Sequence, residues 1–186
     1  MVMDNGNRCN GIDLFQYDNQ WETEFLSLKR VLYKSLEEVI LDIEHVGSTS
    51  VQGLGAKPIL DIDIVIESES TLPDVINRLA RLGYHHQEKW SYKGREAFGR
   101  KDHSVPWDRN RSRWMEHHVY VCHKGSEELA KHIAFRDYLR NHPQAVIEYE
   151  KLKTELALKA KDREEYTRGK TKFVHKILRL CGKYDC

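Results

Sequence analysis

The stretch HVGSTSVQGLGAKPILDIDIVI, residues 45–66, runs from a glycine-and-hydroxyl loop into an apolar segment that contains two aspartates, Asp61 and Asp63. Side chains alternate between the two faces of a strand. A strand over residues 58–66 therefore puts Leu60, Ile62, Ile64 and Ile66 on one face and both aspartates on the other. At roughly 3.3 Å of rise per residue the two Cα atoms lie about 7 Å apart, near enough for the carboxylates to converge on one ion. Two like charges beside a sheet core are costly without a counter-charge, and a divalent cation supplies one. Magnesium, or manganese in its place, takes carboxylate oxygens together with phosphate oxygens and waters, which makes Asp61 and Asp63 candidate metal ligands. Taken alone, an Asp-x-Asp pair equally suits an exposed or ion-paired strand face.

The loop before the strand complements the carboxylates. Gly47 permits close backbone approach, and Ser48, Thr49 and Ser50 offer hydroxyl and N–H donors. A short helix starting within residues 48–54 would turn its N-terminus toward an anion, and Lys57 adds a positive charge nearby. A nucleoside triphosphate with its metal fits this arrangement, although glycine-serine loops also serve as plain turns.

Outward from this core the periodicity predicts an α+β chain with helices concentrated at both ends. Trp21, Phe25, Leu28, Leu32, Leu36 and Val39 mark an amphipathic helix near residues 20–38, followed by a strand at 40–46. Residues 70–82 form a helix with Ser70 or Thr71 as cap, Pro73 in the first turn and Gly83 as the stop. Weaker strands are expected at 84–90 and 97–102, a loop at 103–113 and a strand at 117–123. Three helical stripes complete the chain, with Leu129 to Leu139, Val146 to Leu156 and Phe173 to Leu180 as their apolar positions. No repeat or low-complexity linker divides residues 1–186, so a single domain is expected, with residues 1–14 as a loose N-terminal segment.

Composition narrows the classes of partner. The chain has 186 residues, 40% hydrophobic and 32% charged, with 30 basic against 29 acidic residues. So even a balance carries no strong nucleic-acid signature. No run approaches the roughly 20 apolar residues that a bilayer crossing needs, and the N-terminus lacks the pattern of a secretory signal. Cys9, Cys122, Cys181 and Cys186 show no zinc-ribbon spacing and read as reduced thiols of a cytoplasmic protein.

Gly47-Ser48 followed 13 residues later by Asp61 and then Asp63 resembles the signature of the nucleotidyltransferase superfamily, the polymerase-β-like fold. More specifically, IEHVGSTSVQGLGAKPILDIDIVI, HHVYVC, LAKHIAFRDYLRNHPQAVIEYEKLKTELA and EEYTRGKTKFVHKIL together are similar to the ordered blocks of the GrpB family. The resemblance covers residues 15–180. It implies a nucleotidyltransferase-like mixed sheet flanked by helices, with a helical C-terminal region. It also implies a third carboxylate on a later strand, where active superfamily members activate the acceptor hydroxyl. Here that strand is HHVYV and the matching position is His118, which can act as general base but is not an anionic magnesium ligand. Glu116 shares a strand face with His118 and could restore the carboxylate.

Further phosphate ligands are sought among Arg100, Arg113, Arg136, Arg140, Lys153 and Lys170, since guanidinium and ammonium groups suit phosphate contacts. Most basic residues on helices are simply solvated. Trp107 or Trp114 either stacks on a base or pins a long loop. The other histidines show no zinc-binding helical spacing. Tyr138, Tyr149 and Tyr166 are expected to pack against the sheet. The expected activity is transfer of a nucleoside monophosphate to an unknown small-molecule acceptor. The competing readings are a nucleotide-binding module without turnover and a metal-dependent phosphohydrolase.

Overall fold

Apolar residues at helical spacing make the first element. In the computed structural model, which describes residues 12–111 and 113–183, helix α1 spans Gln20–Leu36 and buries Trp21, Phe25, Leu28, Leu32 and Leu36. Strands β1 (Asp42–Val46) and β2 (Ile59–Ile66) follow, separated by the glycine-serine loop. Helix α2 spans Leu72–Arg81 with its proline in the first turn, and Gly83 ends it at φ +96°, a conformation that favours glycine. The short strands β3 (Tyr84–His86) and β4 (Glu96–Arg100) and the long strand β5 (Glu116–His123) complete the sheet. Four helices then close the chain: α3 (Glu127–Asn141), α4 (Pro143–Lys159), α5 (Arg163–Gly169) and α6 (Thr171–Leu180).

The sheet order is β1-β2-β5-β4-β3, with β2 and β5 parallel and every other neighbouring pair antiparallel. This is the expected α+β arrangement, a mixed sheet with flanking helices and a helical C-terminal region. Ile62 and Ile64 of β2 and Val119 and Val121 of β5 face α1 and α2 and are almost wholly buried. A second cluster joins the loop residues Val51 and Leu54 to the C-terminal helices through Leu139, Tyr149, Phe173 and Ile177. No described helix is long and apolar enough to cross a membrane.

Several expectations need correction. The segment after Gly47 forms only a single 3-10 turn, Ser48–Ser50, so it offers no helix N-terminus. The strand expected at 84–90 stops at His86, because Glu88–Trp90 coils into another 3-10 turn. Helix α5 was not expected, since its seven residues are too few to show a period; Asp162 caps it by accepting from the Glu165 N–H at 2.8 Å. Cys122 and Cys181 are free thiols, whereas Cys9 and Cys186 lie outside the described residues, as do residues 1–11 of the expected N-terminal segment.

Candidate active site

Strand alternation places Asp61 and Asp63 together on the β2 face opposite the apolar core. The parallel register sets Asp61 beside His118 and Asp63 beside Tyr120. His118 Nδ1–H donates to Asp61 Oδ1 at 2.9 Å. Asp63 is 0% exposed, and its Oδ2 accepts from His132 Nδ1–H on α3 at 2.7 Å. Burial by itself lowers the His132 pKa, but the hydrogen bond and charge of Asp63 outweigh it and hold the imidazole above its ordinary value. The other oxygen, Asp63 Oδ1, is buried with no hydrogen-bond partner, an arrangement that a cation would complete.

Gly47 has φ +70°, and a Cβ built on it would collide with the Asp61 carboxylate. The loop can therefore lie against the first aspartate only because residue 47 is glycine. The hydroxyls behind it are mostly spent on the loop itself. Ser50 Oγ–H donates to Gly47 O at 2.7 Å, and Thr49 Oγ1 is bonded to His45 Nε2 at 3.0 Å. Ser48 Oγ accepts from Lys153 Nζ at 3.3 Å.

A cavity of about 340 Å³ opens in front of Asp61 and His118, lined by Ser48, Thr49, Lys57, Lys153, Arg163, Tyr166 and Lys170 among others. Lys153 is only 2% exposed and also donates to Gly55 O. Burial, reinforced by repulsion from Lys170, brings the Lys153 pKa down to about 7. Burial and the Lys57 charge bring that of Lys170 down to about 8. Lys57 and Lys170 flank the Tyr166 ring at 4.8 and 4.6 Å from its centroid, so this tyrosine lines the cavity as well as packing. Tyr149 instead stacks on Phe173 within the helical cluster.

The remaining candidates divide by position. Glu116 lies at the edge of the site and pairs with Arg100. Burial favours its neutral form, yet the Arg100 hydrogen bond and charge prevail and keep the carboxyl below its ordinary range. Arg113 is exposed and its carbonyl accepts from Arg111 Nε, outside both this cavity and the cleft next to it. Trp114 Nε1–H donates to Pro106 O at 2.9 Å, and Trp107 and Trp114 line a separate cavity with α1, so they pin the loop. Arg136 and Arg140 are engaged by protein groups: Arg136 with Glu44 and His45 O, Arg140 with Ser50 O.

His132 was missed, and the signal for it was a polar one. His132, Arg136 and Arg140 recur at four-residue spacing along α3, a stripe that faces the carboxylates and the loop rather than water. Among the described residues no three His, Cys, Asp or Glu side chains are grouped to hold a metal ion. The donor set is a carboxylate pair, which suits a magnesium ion whose other ligands are phosphate oxygens and waters.

The family model described as GrpB protein matches residues 11–180. The glutamate-rich protein GrpB of Alkalihalophilus pseudofirmus is 33% identical over 167 residues, covering 89% of this chain and 92% of that protein. The UPF0157 protein YqkA of Bacillus subtilis is 29% identical over 164 residues, covering 88% of this chain and 45% of its own length. Among solved structures, the conserved protein GrpB from Enterococcus faecalis superposes with a TM-score of 0.74 at 29% identity, covering 90% of this chain and 96% of that one. The family match thus spans the loop, the aspartate strand and the C-terminal helices alike, and the chain belongs to the GrpB family.

Proposed function

We propose that this chain is a metal-dependent nucleotidyltransferase that moves a nucleoside monophosphate from a nucleoside triphosphate to a small-molecule acceptor. The observation that carries the reading is the meeting of Asp61 and the Gly47–Ser48 loop with a cavity lined by Lys57, Lys153, Arg163 and Lys170. A polyphosphate needs cations along its length and a carboxylate-held divalent ion near the reacting phosphorus. Asp61 and Asp63 would hold magnesium or manganese, which when bound neutralises phosphate charge as pyrophosphate departs.

The chain's own groups then have distinct tasks. The Ser48 hydroxyl and the lysines bind the phosphates, and Gly47 keeps the loop against Asp61. The acceptor oxygen or nitrogen attacks the α-phosphorus as the bond from that phosphorus to the bridging oxygen breaks, and pyrophosphate leaves with the electron pair. His118 Nδ1–H is committed to Asp61, so its Nε2 is the nitrogen free to take the acceptor proton. Glu116, held ionised by Arg100, is the weaker base.

The histidine bonds to both aspartates favour one other reading, nucleotide binding without turnover. Thermal-shift measurements with the four ribonucleoside triphosphates and magnesium or manganese, paired with a pyrophosphate-release assay, separate the two. A bound nucleotide at a hundredfold excess over its Kd stabilises by about 2.7 kcal/mol. That gain is expected in the wild type and absent from the Asp61→Asn, Asp63→Asn double variant. A double variant that responds as the wild type does would place the site elsewhere, and stabilisation without pyrophosphate release would leave only the binding module.

A further inference from the structure

Next to the phosphate cavity, β4 turns two small residues, Ala97 and Gly99, toward the open side of the sheet, where Ala97 pairs with Tyr120. They form part of the lining of a cleft of about 1100 Å³. His118, Tyr120 and Arg163 line both spaces, so the cleft continues from the phosphate cavity past the proposed proton acceptor.

Two arginines in this cleft are held in place but incompletely paired. The Arg95 guanidinium sits over the rings of Tyr92 and Tyr120 at 4.4 and 4.1 Å from their centroids. It donates from Nη2 to Trp90 O at 3.2 Å, while its buried Nε has no acceptor. The Arg100 side chain is 8% exposed and pairs with Glu116, yet its buried Nη1 has no acceptor either. Unpaired buried guanidinium donors are costly, and their presence on two arginines that line one cleft marks a place where an acceptor group belongs. The acids nearby do not cancel this bias. Glu116 pairs with Arg100, Glu164 lies 3.8 Å from Arg168, and Asp102, kept ionised by Ser104, has Lys101 as a counter-charge. Arg95 and Arg163 add further positive charge to the lining. At the rim, Trp90 is 71% exposed and offers a flat apolar face.

We infer that this cleft binds the acceptor, a small molecule whose carboxylate or phosphate group is gripped by Arg95 and Arg100 and whose flat apolar part lies on Trp90. The inference rests on the nucleotidyl-transfer reading for the word acceptor, whereas the binding it requires does not.

Calorimetric titration without nucleotide or metal tests it, with phenyl phosphate and 4-hydroxybenzoate as the two oxyanion probes and benzyl alcohol as the uncharged control. Saturable binding of at least one anion is expected, with none of the alcohol. Losing one charge-assisted contact weakens binding by about tenfold or more, which is expected for Arg95→Met and for Arg100→Met, with partial recovery in Arg95→Lys. Trp90→Ala is expected to weaken the same titration, and Lys176→Met, on the surface of α6 and in neither space, to leave it unchanged. A preference for one probe assigns the oxyanion as phosphate or carboxylate. Failure of both anions to bind, or binding that survives Arg95→Met and Arg100→Met but is lost in Lys153→Met, overturns the proposal. Since no nucleotide is present, an enzyme that never releases pyrophosphate would count against nucleotidyl transfer and leave this result standing.

Discussion

Gly47 ties the loop to the carboxylates through the absence of one carbon atom. Any L-residue there meets both the left-handed backbone and the Asp61 side chain. Gly47→Ala is expected to cost at least about 1–2 kcal/mol, read as a lower urea midpoint, and to weaken nucleotide binding as the loop withdraws. His117 carries a different consequence. Its Nδ1–H donates to Met115 O at 2.7 Å, which leaves Nε2 to accept from the Tyr84 hydroxyl at 2.6 Å. Burial, with the Arg100 charge assisting, brings its pKa down to about 4. The unfolded chain therefore binds more protons than the folded one below pH 6.5, and stability falls as the pH drops from 6.5 toward 4. The loss from this group is about 2 kcal/mol by pH 5. Urea melts at pH 7 and pH 5 should show His117→Gln losing less than the wild type across that interval.

Helix α3 works as a latch on the site. Its His132, Arg136 and Arg140 meet Asp63, the Glu44 side chain with the His45 carbonyl, and the Ser50 carbonyl, so one helix face holds the aspartate strand, the strand before the loop and the loop's first turn. Because the stripe it turns inward is polar, α3 is only weakly amphipathic, and an apolar-period reading finds the helix without its purpose. Removing the Arg140 guanidinium leaves the Ser50 carbonyl without that partner, at a cost of about 1–3 kcal/mol. Arg140→Leu is expected to lower the melting temperature and to raise the KM for nucleotide more than it lowers kcat. An equal loss in kcat alone would assign Arg140 a role in the chemical step.

On the scale of the molecule, the C-terminal helices bring lysines to a sheet that has none of its own at this position. Burial holds Lys153 at about 7 with repulsion from Lys170, and Lys170 at about 8 with repulsion from Lys57, both far below the 10.5 of a free lysine. Between those values and pH 10.5 the unfolded chain binds more protons, so these lysines make stability rise with pH through that window. A bound polyphosphate reverses the preference by favouring the charged forms. Nucleotide binding at pH 8 should therefore take up protons, seen in calorimetry as a heat that varies with buffer ionisation enthalpy. Lys153→Met is expected to reduce the uptake, and an uptake unaffected by it would move the phosphates away from this cavity.

The stretch around Asp61 and Asp63 was legible because strand alternation is a local rule: an apolar set on one face forces the two carboxylates onto the other. The α1 and α2 helices were legible for the same reason, through spacing and a glycine stop. What meets those carboxylates is a matter of tertiary structure, and His118 alone was anticipated, through the family resemblance rather than through spacing. His118 reaches Asp61 through the parallel register with a strand 57 residues away in sequence, and His132 reaches Asp63 from 69 residues away. Neither separation leaves a periodic trace. That Lys57, Lys153 and Lys170 line the cavity while Arg113 and Arg136 do not likewise depended on how the C-terminal helices fold back onto the sheet. Charge type is written in the sequence, but the neighbours that bury, pair or repel a charge are set by packing between distant segments.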